Sequence, residues 1–167
     1  MRTDEALLLK SGEARSGAPF NIFGDQIFVK LGGDDTDGNY AIMEGITPPQ
    51  GGPPLHRHGR EDESFYILEG EYLFEVDGKQ IHAGPGCSVF APRGSAHTMQ
   101  NLSDTPGRLL VIVQPAGLDA FFSEVDRATR GMKEPDMSVV LPIFEKYGLE
   151  FLGPPLGARS AAVAKSA

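Results

Sequence analysis

Two histidines and a carboxylate stand close together in the stretch from Gly51 to Gly70. His56 and His58 are two residues apart, so on an extended strand both imidazoles project from the same face. Glu63 follows five residues after His58, and the polar turn between them allows it to return to that face from the next strand. Imidazole and carboxylate groups bind divalent transition metals. We therefore expect a hairpin with a ligand pair on one strand and a carboxylate ligand at the start of the next.

A second stretch supplies one more histidine. It follows the spacing G-x5-P-x-G-x2-H-x3-N, which is met by Gly86, Pro92, Gly94, His97 and Asn101. This spacing resembles the second motif of the cupin superfamily. The first stretch resembles the first cupin motif, G-x5-H-x-H-x3,4-E-x6-G, through His56, His58, Glu63 and Gly70. Two positions depart from the usual pattern, since Gly51 lies one residue too close to His56 and Cys87 replaces part of a Gly-Asp turn, but neither is a ligand.

The resemblance covers about residues 40–115 and implies an all-β fold, a single jelly-roll β-barrel. It further implies that four side chains point inward onto one divalent transition metal ion (Fe, Mn, Ni, Co, Cu or Zn), namely His56, His58, Glu63 and His97. The sequence around the histidines resembles that of small bacterial single-cupin proteins described as quercetin-dioxygenase-like, and so does the segment YGLEFLGPPL. The family also implies a homodimer.

The donor set by itself narrows the chemistry. Three imidazoles and one carboxylate suit all of these ions, so affinity alone does not choose among them. Four protein ligands leave up to two octahedral positions open, whereas closed structural zinc sites rely on cysteine thiolates. We therefore expect a metal-dependent dioxygenase acting on a small oxygenated substrate, aromatic or enolisable, with Glu63 as both ligand and general base. The alternatives are a metal-dependent isomerase or lyase and a non-catalytic small-molecule-binding cupin.

Residues around the expected centre are assigned by strand parity. Phe65 shares the parity of Glu63 and Met99 shares that of His97, so both are predicted to line the substrate pocket. Structural roles are expected for the other candidates. We expect Arg93 to be a turn residue, and Glu61 and Asp62 to be solvated turn charges. Phe28, Phe74 and Phe90 are expected to be core residues. His82 is expected to be a structural or solvent-facing histidine.

The order of patterns along the chain predicts one domain with flanking segments. An N-terminal arm takes residues 1–18, with a short strand around residues 6–9, and the cupin β-barrel takes residues 19–115. Asp77-Gly78 is a two-residue hairpin signal within it. A C-terminal helical extension takes residues 116–157, where apolar residues recur at helical spacing in two segments that end at Gly131 and Gly148, with Asp136 or Ser138 capping the second. Residues 158–167 are predicted to be a disordered tail.

Composition excludes several functional classes. A net charge of −8 and a pI near 4.9 argue against binding to nucleic acid, because phosphate neutralisation requires clustered Lys and Arg. The single cysteine, Cys87, cannot form an intrachain disulfide and is expected to be a buried, inert thiol. The first residues contain only a short apolar run, so we expect no signal peptide, no membrane span and a cytoplasmic location.

Overall fold

The computed structural model describes residues 5–159, which form two antiparallel β-sheets with two α-helices packed against them. The strands are β1 Phe20–Ile22, β2 Asp25–Leu31, β3 Ala41–Thr47, β4 Pro54–His58, β5 Asp62–Glu69, β6 Tyr72–Val76, β7 Lys79–Ala83, β8 Ser88–Ala91, β9 Ala96–Asn101, β10 Gly107–Gln114 and β11 Leu149–Pro155. The α-helices are α1 Leu118–Thr129 and α2 Met137–Tyr147, and a 3-10 turn spans Gly33–Asp35. Residues 156–159 are helical as well. The described part of the chain is therefore mainly β and contains the two C-terminal helices that the sequence predicts.

The two sheets have the strand orders β1-β2-β3-β10-β5-β8 and β11-β4-β9-β6-β7. This is a jelly-roll arrangement, in which the chain passes repeatedly from one sheet to the other. Within residues 5–159 no strand pairing joins the two sheets, so the predicted barrel is a sandwich whose sheets remain open. The predicted hairpin between the histidine strand and the glutamate strand is wrong for the same reason: β4 and β5 belong to different sheets, and the turn between them crosses the sandwich.

Alternation along the strands places the core between the sheets. In β5, Glu63, Phe65 and Ile67 are buried while Tyr66 between them is exposed, as expected for side chains that alternate across a sheet. The hairpin of β6 and β7 turns at Asp77 and Gly78, both with positive φ (48° and 77°), which confirms the predicted tight turn.

The two helices bury their apolar stripes against this sandwich. Phe121 of α1 meets Phe144 of α2 edge to face, with ring centroids 5.0 Å apart. Asp136 caps α2 by accepting a hydrogen bond from the Ser138 backbone N–H at 2.9 Å. Gly148 then ends the helix in the left-handed conformation, so the predicted end of the second helix is confirmed.

The segment after α2 differs from its prediction as part of a helical extension. Residues Leu149–Pro155 form β11, which pairs with β4 so that Leu149 lies opposite His58 and Phe151 opposite His56. Two prolines are tolerated because β11 is an edge strand, where a missing N–H costs no interior ladder bond. The histidine strand is consequently an interior strand, flanked by β9 and β11.

The N-terminal arm forms no strand at residues 6–9, contrary to the prediction. Its later part is nevertheless attached to the first sheet. The Arg15 backbone N–H donates to the Val29 carbonyl at 2.7 Å, and its guanidinium pairs with the buried Asp35 at 2.6 Å. The first two residues of the tail predicted to be disordered, 158–159, are instead helical, and Arg159 pairs with Glu75 at 3.0 Å. Residues 1–4 and the rest of that tail, residues 160–167, lie outside the described residues.

Two residues predicted to be buried are exposed. Cys87 lies in a surface turn, where its backbone N–H donates to the Gly84 carbonyl. The residue is exposed. Phe90 is 58% exposed because β8 turns Val89 and Ala91 inward, which leaves the alternate position on the outer face. The other two phenylalanines assigned to the core, Phe28 and Phe74, are buried. No helix within residues 5–159 is long and apolar enough to cross a membrane.

Candidate metal centre

Three strands from both sheets bring the four predicted ligands together. His56 and His58 project inward from β4, and His97 on β9 is paired directly opposite His56. Glu63 reaches the same point from β5 in the facing sheet. All four side chains are buried. The parity expected for His56 and His58 is therefore observed, although the glutamate arrives across the sandwich and not from a neighbouring strand.

The donor atoms of these four residues converge on one point. Nε2 of His56 lies 3.1 Å from Nε2 of His58, and Nε2 of His97 lies 2.9 Å from Oε2 of Glu63. Oε2 of Glu63 is also 3.3 Å from Nε2 of His58. One donor atom from each residue fits within 4.8 Å of all the others. The group can hold a metal ion.

Backbone carbonyls fix the orientation of two imidazoles. Nδ1 of His56 lies 2.8 Å from the Pro54 carbonyl oxygen, and Nδ1 of His97 lies 3.1 Å from the Ser95 carbonyl oxygen. A carbonyl only accepts hydrogen bonds, so each Nδ1 carries the proton and each neutral ring presents the Nε2 lone pair to the centre. This is the arrangement in which metal-binding histidines are held by a second hydrogen bond.

A carboxylate orients the third imidazole. Nδ1 of His58 donates to Oε2 of Glu61 at 3.3 Å, so its Nε2 also faces the centre. Two unprotonated Nε2 atoms 3.1 Å apart, those of His56 and His58, would present lone pairs to each other. Only a positive charge between them, a proton or a metal ion, makes this contact favourable. The donor chemistry therefore fits a cation at this position.

Glu61 is the residue of this site that the sequence interpretation misassigned. It was expected to be a solvated turn charge, but it is 3% exposed and bonded to His58. Asp62, its neighbour, points outward and accepts hydrogen bonds from the Arg93 backbone and guanidinium, as expected for turn residues. The spacing His58-x2-Glu61 was the only available signal, and it does not distinguish a carboxylate folded under the turn from one in solvent.

The electrostatics of the site follow from burial and from its own charges. Burial lowers the pKa of His56 to about 3, and repulsion from His97 and His58 in their protonated forms acts in the same direction, so this ring is neutral. Burial also opposes protonation of His58, but the charges of Glu63 and Glu61 outweigh it and raise the pKa to about 9.

The same histidines act on the carboxylate. Burial alone would raise the pKa of Glu63, but the charge and hydrogen bond of His58, together with His97, hold it well below its usual range. Glu63 is therefore an ionised ligand. The raised pKa that a strong general base needs is not found in this arrangement.

The donor atoms open into an apolar cavity between the sheets. Its wall includes Phe65, Met99, Val111, Phe121, Phe144 and Leu149. The two residues predicted to line a pocket, Phe65 and Met99, both face this space. The interior is narrow, with a cavity volume of about 80 Å³. Residues of α1, α2 and β11 complete the wall, so the C-terminal segment contributes to the cavity as well as to packing.

Two motif residues that bind no metal hold the site together. The buried amide of Asn101 donates to the carbonyls of Thr47 and Thr105 at 3.1 and 2.9 Å, and its oxygen accepts the Ser103 N–H at 3.0 Å. Gly94 has φ of 84°, which favours glycine, and its N–H donates to the His58 carbonyl at 2.7 Å. His82 is exposed on β7 and lies outside the site.

Comparison with known proteins gives the family. Residues 43–113 match the family model described as a cupin domain. A solved structure of a predicted oxalate decarboxylase from Thermotoga maritima superposes with a TM-score of 0.53 at 25% identity, covering 55% of this chain and 80% of that chain. Residues 43–113 form a cupin domain. Its four converging donors occupy the motif positions of a cupin.

Two curated relatives of this cupin carry functional names. An oxalate-binding protein of Thermotoga maritima is 33% identical over 66 residues, which is 40% of this chain and 54% of the relative. The quercetin 2,3-dioxygenase of Bacillus subtilis is 26% identical over 102 residues, which is 60% of this chain and 30% of the relative. The cupin thus spans about half or less of the length of these relatives.

Proposed function

We propose that this cupin is a metal-dependent dioxygenase acting on a small oxygenated substrate, aromatic or enolisable. The observation that carries the proposal is a buried set of three imidazoles and one carboxylate that opens into an apolar cavity. In this proposal His56, His58, Glu63 and His97 are the metal ligands. When bound, a divalent ion there supplies Lewis acidity toward substrate oxygens and, if redox-active, electron transfer to dioxygen.

The protein residues have separate tasks. The three imidazoles, each fixed through Nδ1, hold their Nε2 atoms in place without further reorganisation. Glu63 Oε2 accepts a hydrogen bond from the substrate hydroxyl and is the proposed acceptor of its proton.

The cavity supports a substrate of modest size. Its apolar wall, including Phe65 and Phe121, excludes water from the donors and favours a flat or hydrophobic molecule. Because the open interior is narrow, single-ring catechols and short 1,3-diketones fit the proposal better than three-ring flavonols. The dioxygenase relative supports the reaction class, and its name is no guide to the size of the substrate used here.

Oxygen uptake tests the proposal. The protein is loaded separately with iron, manganese and nickel, and oxygen consumption is followed with catechols, 1,3-diketones and flavonols. We expect uptake with at least one metal and one single-ring or diketone substrate, and a loss of about a hundredfold or more in His97→Ala. His82→Ala is the matched control, since it removes an exposed histidine and should leave the rate unchanged. No uptake with any combination refutes the dioxygenase; turnover under strict anaerobiosis would instead favour an isomerase or lyase.

A non-catalytic binding protein is the second candidate, and the similarity to an oxalate-binding protein favours it. Under this hypothesis the metal and cavity retain a small anion without transforming it. Native mass spectrometry of freshly purified protein would then show a bound metabolite that stays unchanged on incubation with metal and oxygen. Release of a chemically altered product would exclude this candidate.

Dimerisation of this protein also stays a prediction. Sedimentation at two protein concentrations measures it.

A further inference from the structure

Asp25 is an ionisable residue of the cavity wall that the proposed chemistry does not use. It is the first residue of β2, follows the two-residue turn Phe23-Gly24, and lines the same cavity as the four metal-ligand candidates. It does not belong to their converging group. Within residues 5–159 its carboxylate has no hydrogen bond and no ion pair. Every other charged residue in the wall of this cavity is one of the four.

The surroundings of Asp25 are unfavourable for a carboxylate. The side chain is half-buried among apolar neighbours, which include Ile22 and Ile27. Burial raises the pKa of Asp25 to about 7, and no charge or hydrogen bond opposes the rise. Its charge in turn adds to the effect of burial on Tyr72, whose pKa is raised to about 12. A buried polar group without a partner destabilises the fold, so a ligand that supplies the partner would explain its position.

The turn that carries Asp25 is held in a strained position. Phe23 has φ of 54°, which is rare for a bulky side chain, and it also lines the cavity. The hairpin is tied to α1, because the Asn21 N–H donates to Oδ1 of Asp126 at 2.9 Å. Strain of this kind persists only where the surrounding structure enforces it. The turn therefore places both Phe23 and Asp25 in the cavity wall.

We propose that Asp25 determines specificity by accepting a hydrogen bond from a hydroxyl group on the part of the substrate remote from the metal-binding oxygens. This inference rests on the proposed function, in that it assumes a small oxygenated molecule in the cavity. The substrate class becomes narrower: a single-ring or short-chain chelator with one additional hydroxyl group. Asp25 is a binding residue and takes no part in oxygen chemistry.

The test compares two catechols that chelate with the same two oxygens. 4-(Hydroxymethyl)catechol carries the additional hydroxyl and 4-methylcatechol lacks it. Affinities are measured by calorimetry with the zinc-loaded full chain, because zinc binds without oxidising either catechol. We expect the hydroxymethyl compound to bind about tenfold more tightly, the value for one net hydrogen bond to a charged acceptor. Asp25→Asn should reduce the preference to about threefold, the value for a neutral acceptor, and Asp25→Leu should abolish it.

The controls separate this role from a structural one. Asp104→Asn alters an exposed aspartate on a loop and should keep the wild-type preference. Zinc content and circular dichroism of every variant should match the wild type, since Asp25 is not a ligand. If a variant at Asp25 misfolds, the wild-type preference is measured across pH instead, and it should increase as Asp25 ionises around its pKa of about 7.

The outcomes distinguish this inference from the dioxygenase proposal. Equal affinity of the two catechols, a preference that survives Asp25→Leu, or no binding of either compound overturns the role of Asp25, whatever the oxygen-uptake result. An Asp25-dependent preference without oxygen uptake supports the inference and refutes the dioxygenase. Support for both requires uptake in the iron-, manganese- or nickel-loaded protein as well as the preference.

Discussion

Replacement of Asp25 by asparagine should stabilise the folded protein at alkaline pH. Asparagine keeps the shape of the side chain and removes the charge that burial disfavours. Aspartate has an ordinary pKa of 3.8 in the unfolded chain and about 7 in the folded protein, so the folded state binds more protons between these values. Stability of the wild type therefore falls as pH rises from about 4 to about 7 through this group, and then levels off. The Asp25→Asn variant has no such dependence, because its side-chain amide does not titrate.

The expected magnitude follows from the two pKa values. The interval from 3.8 to about 7 corresponds to at most about 4 kcal/mol of unfolding free energy above pH 7. Asp25 is only half-buried, so solvent reduces this figure, and we expect about 2 kcal/mol. At about pH 4 the folded-state carboxyl is protonated and the unfolded-state carboxyl is only partly ionised, so the advantage of the variant should shrink to less than about 1 kcal/mol.

Urea unfolding of the zinc-loaded protein at about pH 4 and about pH 8 measures this difference. The quantity of interest is the gain in unfolding free energy on Asp25→Asn at the higher pH minus the gain at the lower pH. Loss of metal at low pH affects both proteins and cancels in this subtraction. Asp104→Asn should give a difference near zero. A variant that is less stable than the wild type at the higher pH, or equally shifted at both pH values, would show that Asp25 has a stabilising partner and would refute the reasoning.

Three further predictions concern the metal site and its support. Glu61→Gln should weaken zinc affinity about tenfold in chelator competition, because the neutral amide orients His58 less strongly than a carboxylate does. Asn101→Ala should destabilise the fold by about 3 kcal/mol in urea unfolding, because it leaves buried carbonyl and N–H groups without partners. Removal of metal by a chelator should lower the melting temperature, and zinc at about a thousandfold excess over its dissociation constant should restore about 4 kcal/mol.

Each of these predictions has a control or a contradicting result. Asp62→Asn changes the neighbouring exposed carboxylate and should leave zinc affinity within about twofold, so equal losses in both variants would argue against a specific role for Glu61. Full stability of Asn101→Ala would mean that water replaces the amide. A melting temperature indifferent to chelator and zinc would contradict metal binding by the native state.

The ligand set was predictable because strand parity is a local property. His56 and His58 share a face on any extended strand, whereas His97 was assigned to the site by its resemblance to the second cupin motif. The pocket-wall prediction for Phe65 and Met99 came from the same rule. Predicting the face on which a side chain lies does not require knowing which strands are neighbours. The prediction therefore holds even when the predicted strand order is wrong. This is why the four candidate ligands converge in the structure even though the predicted hairpin between their strands is wrong.

Other features depended on long-range packing and could not be derived. Glu61 is buried because its turn crosses between sheets, and a polar turn sequence normally indicates solvent exposure. Cys87 immediately precedes β8 and Phe90 lies within it, and either phase of alternation in this short strand was compatible with the sequence. Asp25 has no local signal, because the cavity that it lines is completed by residues from helices and strands distant in the chain.

The pairing of β11 with β4 also determines the order in which a complete metal site can form. His56 and His58 sit on an interior strand whose neighbours are His97, about 40 residues later, and Phe151, about 95 residues later. Before β9 and β11 have paired with β4, an ion that binds His56 and His58 therefore has two donors on a strand whose edges are exposed to water. We expect tight retention to require that both late strands have docked and that water is excluded, so a slow step in C-terminal docking should be measurable as slow metal uptake.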